Sequence, residues 1–102
     1  MAVIKIYGVV ATRTARCLWM LEEVGQPYEL VEVQPRTEQA DSPEFRAVNP
    51  NGRVPALVDG DTVLWESMAI NLYLAEKYGG AMMPATVEGR GLACQWSFWG
   101  MM

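Results

Sequence analysis

The chain has 102 residues, 51% hydrophobic and 20% charged, with eight basic and twelve acidic side chains, two cysteines and no histidine. This length and apolar fraction fit one two-layer globular core and exclude both disorder and a second independent domain. A net charge of -4 excludes a broad nucleic-acid or anionic-membrane surface, and the absence of histidine removes Ser-His-Asp and Cys-His pairs and the commonest zinc ligand.

Cys17 and Cys94 are far apart and outside any CxxC spacing, so neither a metal pair nor a dithiol motif is expected. The first residues, MAVIKIYGVV, lack the basic and apolar regions of a signal peptide, and no apolar run approaches the ~18 residues of a membrane span. A soluble, cytoplasmic protein that binds small molecules or proteins, without metal, nucleic acid or membrane, is the expectation.

In chain order, Val3 to Tyr7 alternates and is rich in β-branched and aromatic residues, which predicts a strand ended by Gly8 with Lys5 outward. A helix is expected from near Thr14 to Gly25, with Leu18, Leu21 and Val24 inward and Thr12 or Thr14 as its cap. Tyr28 to Val33 alternates again and closes a βαβ unit with parallel strands. Ser42-Pro43 opens a short helix, and Asn49-Pro50-Asn51-Gly52 is a turn. Val54 to Val58 and Thr62 to Trp65 flank Asp59-Gly60-Asp61, a strong hairpin signal. Ser67 then caps a helix that runs to Lys77 and stops at Gly79-Gly80. Residues 80–89 read as a linker, and Leu92 to Trp99 as the opening of another helix. The apolar cluster Trp96, Phe98, Trp99, Met101 and Met102 suggests a chain cut inside a longer protein or a shortened variant that covers this patch by docking or self-association.

Three places can carry chemistry. Glu66-Ser67 precedes a helix, where a hydroxyl and unpaired amides hold a carboxylate and the glutamate pairs an ammonium; together they fit an α-amino acid head group, or else form an ordinary cap. Val54-Pro55 at a strand start, if cis, presents the Val54 backbone to an extended, peptide-like ligand; otherwise Pro55 is an ordinary trans proline at a sheet edge. The loop Ala11-Thr12-Arg13-Thr14-Ala15-Arg16-Cys17 offers hydroxyls and cations that lower the pKa of a bound thiol, with the alternative that the threonines cap a helix and the arginines are solvated. Cys17 lies too far into that helix to be its N-terminal nucleophile and reads as packing. Arg13, Arg16, Arg36, Arg46 and Arg53 all precede the hairpin, a bias that suits an acidic small ligand or else a solvated surface.

Taken together, IKIYG, TRTAR, LEEVGQPYELVEV, SPEFRAVNPNGRVPALVDGD and LWESMAINLYLAEKY resemble the amino-terminal, thioredoxin-like domain of glutathione transferases from about Val3 to Tyr78, with residues 86–102 similar to the start of the family's all-helical second domain. The resemblance implies an α/β fold of βαβ-α-ββα order, a mixed four-stranded sheet with helices on both faces, over residues 1–79, followed by a linker and truncated helical start over 80–102. It implies glutathione as co-substrate, a cis Val54–Pro55 bond with Val54 pairing to the cysteinyl unit, and Glu66 and Ser67 on the γ-glutamyl head. Arg53, Gln39 and Arg36 are the groups available for the glycyl carboxylate. Thr12 stands where serine-type members carry their catalytic serine, with Thr14, Arg13 or Arg16 able to substitute or assist, and Tyr7 a weaker contender. The implied function is a glutathione transferase that stabilises the thiolate for attack on a small electrophile. The alternatives are a glutaredoxin-like reduction of a small disulfide, dehydroascorbate or arsenate, and a non-enzymatic scaffold; a homodimer is the family's common state.

Overall fold

A computed structural model describes residues 3–101. The chain runs β1 (Ile4–Gly8), α1 (Thr14–Val24), β2 (Tyr28–Glu32), α2 (Pro43–Val48), β3 (Ala56–Asp59), β4 (Thr62–Trp65), α3 (Ser67–Tyr78), a 3-10 turn (Gly80–Met82) and α4 (Val87–Gly100). The strands form one mixed sheet in the order β2-β1-β3-β4. β1 is parallel to β2, with Ile6 opposite Leu30, and β3 is antiparallel to β1 and to β4. This is a thioredoxin-like fold.

Alternation along the strands sorts the two faces. Ile4, Ile6 and Leu57 join Cys17 and Leu21 of α1 and Ile70 and Leu74 of α3 in the main core. On the opposite face Ala56, with Tyr7 packed alongside, meets Val33, Ala40 and Phe45 of α2 and its flanking segment. Ser42 caps α2 by accepting from the Phe45 amide, and Pro43 fills the first helical position, where the missing N–H costs nothing. Gly25 takes φ 71 and closes α1 by donating to the carbonyls of Leu21 and Glu22.

Three expectations are corrected. The buried stripe of α1 is Thr14, Cys17 and Leu21, while Leu18 and Val24 are only half-buried. The helix starts one residue after Arg13, which occupies the cap position without a side-chain bond, so neither Thr12 nor Thr14 is the cap. The last helix begins at Val87, with Thr86 accepting from the Gly89 amide; Gly89 and Gly91, poor helix formers, hide that first turn in the sequence. Leu92, Trp96, Phe98 and Trp99 of α4 are exposed, and Met102 lies outside the described residues. Among the described residues no helix is long and apolar enough to cross a membrane.

The hairpin end of the sheet is clamped to α3 through one carboxylate. Asp59 Oδ2 accepts from Tyr78 at 2.6 Å, Tyr73 at 2.7 Å and Lys77 Nζ at 3.2 Å. Burial alone raises this carboxyl, but the three donors outweigh it and hold it below the ordinary carboxylate value. Asp59→Ala leaves two tyrosine hydroxyls without their acceptor and is expected to cost about 2 kcal/mol in denaturant unfolding. Because the folded pKa lies below the unfolded one, that contribution is present above the ordinary carboxylate pKa and disappears as pH falls through the folded value, so the gap between wild type and Asp59→Ala should close in acid.

Cys17 has no solvent exposure, and burial pushes its thiol up to about 12 against the opposing charge of Arg16. A disulfide-exchange reagent is therefore expected to modify the half-buried Cys94 in the native chain and Cys17 only after unfolding. Rapid native labelling of Cys17 would contradict this packing.

Candidate functional site

The site starts where β1 ends. Gly8 has φ 146, and a Cβ there would overlap the Thr14 hydroxyl, so only glycine lets the first turn of α1 lie against the strand. The intervening loop is closed by hydrogen bonds from the Thr12 backbone N–H to the Val9 carbonyl at 3.1 Å and from the Ala15 amide to the Thr12 carbonyl at 3.0 Å. Thr12 Oγ1 lies 2.6 Å from the same Val9 carbonyl and 2.8 Å from Thr14 Oγ1, and it accepts from the Thr14 amide at 3.2 Å.

Thr12 and Arg13 form one wall of a cleft of about 660 Å³, whose other walls include Arg36, Arg46, Arg53 and Val54. Arg46 is neutralised by Asp41 at 2.6 Å and also donates to the Pro50 carbonyl at 2.6 Å. Among the described residues Arg13, Arg36 and Arg53 have no acidic partner, so the cleft keeps a net positive potential within an acidic protein. Arg36 itself sits at φ 60, a left-handed conformation that costs a non-glycine residue on the order of 1–2 kcal/mol. The turn before Arg53 is fixed by Asn49, 2% exposed. Asn49 Nδ2 donates to the Arg53 carbonyl at 2.8 Å, and its Oδ1 accepts from the Asn51 amide at 2.9 Å.

The Val54–Pro55 peptide bond is cis. Pro55 is buried, and Val54 is half-buried on the cleft wall. Among the described residues neither the backbone N–H nor the carbonyl of Val54 is hydrogen-bonded. An extended ligand can use both groups as an edge strand would.

At the same end of the sheet, where Trp65 pairs with Ala56, α3 starts without a side-chain cap, and neither Glu66 nor Ser67 lines the cleft. Glu66, not Ser67, occupies the cap position, with φ 80 and ψ 116, and Ser67 is the first helical residue. A glutamate in this region stores on the order of 1–3 kcal/mol of backbone strain, a cost characteristic of functional sites. The uncapped first amides of α3 carry the partial positive charge that favours an anion. Ser67 is 3% exposed, and its Oγ accepts from Arg16 Nη1 at 3.4 Å and lies 4.0 Å from Met101 Sδ, which is itself 2.9 Å from Arg16 Nη1.

The structure thus gathers Thr12, Arg13, Arg36, Arg53 and Val54 in one cleft, with Thr14 behind Thr12, Pro55 beneath Val54, and Arg16 bonded to Ser67. Gln39 stands apart. Its amide donates to the Glu32 carbonyl at 2.7 Å and accepts from the Gln34 amide at 3.2 Å, and it borders a separate depression of about 200 Å³ beside Phe45. Tyr7 borders that depression too, its ring centroid 5.9 Å from that of Phe45. Sequence reasoning missed the part of Asn49 in holding Arg53, because Asn-Pro-Asn-Gly signals only a turn. It also missed Met101, since nothing local places α4 against Arg16.

The sequence matches the family described as "Glutathione S-transferase, N-terminal domain" over residues 2–76. It is 44% identical to Glutathione S-transferase 3 of Zea mays over 96 residues, which are 90% of this chain and 43% of that protein. It is 41% identical to the Glutathione S-transferase-like protein gedE of Aspergillus terreus over 100 residues, 93% of this chain and 43% of that one. Among solved structures, the theta class glutathione S-transferase of Xanthomonas axonopodis pv. citri with glutathione bound superposes with a TM-score of 0.89 at 43% identity, covering 97% of this chain and 48% of that one. Glutathione S-transferase-I bound with lactoylglutathione gives 0.85 at 39% identity, covering 93% and 46%. The chain spans less than half the length of these relatives. On the match over residues 2–76, it belongs to the glutathione S-transferase N-terminal domain family.

Proposed function

We propose that this chain binds glutathione across the cleft and the start of α3, and stabilises its thiolate for attack on a small electrophile. The observation that carries the reading is the convergence, in one cleft, of unpaired Val54 backbone groups, unneutralised arginines and the Thr12 hydroxyl, at the end of the sheet where α3 starts without a side-chain cap. In this reading Val54 pairs with the cysteinyl unit by its backbone. Ser67 and the first amides of α3 take the γ-glutamyl carboxylate, and Glu66 takes the ammonium. Arg36 and Arg53 face the glycyl carboxylate; Gln39 drops out because both ends of its amide are bonded within its own loop. In this reading residues 1–79 hold the site, and from the described part of residues 80–102 Met101 lies against Arg16 and Ser67.

Sulfur activation falls to Thr12, with Arg13 and Arg16 supplying positive charge. Lowering a thiol pKa by about two units corresponds to roughly 2.7 kcal/mol, within reach of one hydroxyl hydrogen bond, a helix terminus and nearby guanidinium groups. The basic cleft also favours a second reading, glutathione-dependent reduction of a small oxyanion or disulfide. That chemistry would run on glutathione sulfur alone, since Cys17 is buried and protonated. A cytoplasmic setting, where glutathione is abundant and both cysteines stay reduced, belongs to the same proposal.

Calorimetric titration of the chain with reduced glutathione is expected to show saturable binding that Ser67→Ala weakens by about 1 to 3 kcal/mol, roughly 5- to 150-fold in Kd. No binding by the folded chain would contradict the reading. Glu66→Gly separates strain from recognition. It is expected to raise unfolding stability by about 1 kcal/mol by relieving the positive φ, and to weaken glutathione binding because the ammonium loses its partner. A variant that is both less stable and undiminished in binding would remove Glu66 from the site.

A further inference from the structure

We infer that Thr14 is a positioning residue for sulfur activation, whose buried hydroxyl donates to Thr12 Oγ1 and thereby frees the single Thr12 proton for the glutathione thiolate. The inference rests on the glutathione reading above.

A threonine hydroxyl has one proton and two lone pairs. Thr12 Oγ1 has two oxygens within reach, the Val9 carbonyl at 2.6 Å and Thr14 Oγ1 at 2.8 Å. Its proton can serve only one of them, and the carbonyl is the nearer and stronger acceptor. Thr14 has no solvent exposure, and Thr12 is the only partner its hydroxyl has among the described residues. Left without an acceptor, a buried hydroxyl costs about 1–3 kcal/mol, so the Thr14 proton points at Thr12 Oγ1. Gly8 fixes this contact, since the Thr14 side chain occupies the space of the missing Cβ.

With its lone pairs engaged by the Thr14 hydroxyl and the Thr14 amide, Thr12 is polarised as a donor, because each bond in such a chain strengthens the next. Turning the Thr12 proton from Val9 to an incoming thiolate leaves no orphan behind. The Val9 carbonyl keeps the Thr12 backbone N–H at 3.1 Å. No covalent step is involved, and both hydroxyls retain their protons. Without the Thr14 hydroxyl, Thr12 would be free to accept a proton from a neutral thiol, and its preference for the thiolate would fall.

The test follows the thiolate absorbance of saturating glutathione against pH on the wild type, Thr14→Val and Thr14→Ser. Arg13, Arg36, Arg46, Arg53 and Asp41 line the same cleft, and Arg16 lies on the same helix; their charges are common to all three proteins and cancel. Thr14→Val is expected to raise the bound-thiol pKa by about 0.5 to 1 unit, a threefold to tenfold loss of thiolate near neutrality, with Kd unchanged at a pH where the thiol is protonated throughout. Thr14→Ser, which keeps the hydroxyl, is expected to titrate like the wild type. Equal pKa values in wild type and Thr14→Val, or an equal shift in both variants, would overturn the inference. If Thr14→Val fails to fold, Thr14→Ala, which only removes atoms, takes its place with the same expected shift. A wild type that binds glutathione without lowering its thiol pKa overturns the role of Thr14 and leaves the binding reading standing; a wild type that binds none overturns both.

Discussion

The close approach of Thr14 to Gly8 is the constraint on which the site depends. β1 lies between β2 and β3, and its end is where the loop must turn back into α1. Any side chain at position 8 would occupy the volume of the Thr14 hydroxyl. A larger residue would push the start of α1 away from the sheet, and Thr12 and Arg13 would leave the cleft wall with it. The conformational freedom of one glycine therefore sets the position of the hydroxyl that the proposed chemistry uses.

The sheet divides rigidity from function along its length. Tyr7 pairs with Ala56 at the end where Gly8, Pro55 and the cleft lie, and Asp59 closes the hairpin at the other. At the hairpin end Tyr73, Tyr78 and Lys77 converge on one carboxylate. The cleft end holds the unsatisfied and strained groups: an open Val54 backbone, Arg36 and Glu66 at positive φ, an uncapped α3 and arginines without acidic partners. Such features are costly, and the ligand proposed above would offset them with complementary carboxylates, an ammonium and an extended backbone.

Much of the fold was legible because the patterns are short-range. Strand alternation, the Ser42-Pro43 start, the Gly25 stop and the Asp-Gly hairpin each act within a few residues, and each element formed near its expected place. The errors arose where tertiary contacts decide. Which stripe of α1 is buried depends on α3: Cys17 joins the core cluster with Ile70 and Leu74 and its Sγ lies 3.6 Å from the Ser67 carbonyl, while Leu18 packs at the margin of that cluster. Ser67 reads as a cap by residue type, yet the cap position falls to Glu66 once the chain leaves β4 with positive φ, a conformation no local signal announces. Among the candidate site residues, Val54, Arg53 and Thr12 meet because the β1–β3 pairing joins segments distant in sequence. Gln39 fails to join them because nearer backbone groups claim its amide.

In the proposed function one continuous site runs from Thr12 through Val54 to the first turn of α3. A two-dimensional amide NMR titration of the chain with reduced glutathione tests it most directly. Glutathione bound there is expected to give the largest shifts at Thr12, Arg13, Val54, Ser67 and Met68, with the Val54 amide moving as it gains an acceptor and the Asp59 hairpin unmoved. Shifts confined to α4 or to the depression beside Phe45, with Val54 and Ser67 unmoved, would contradict it.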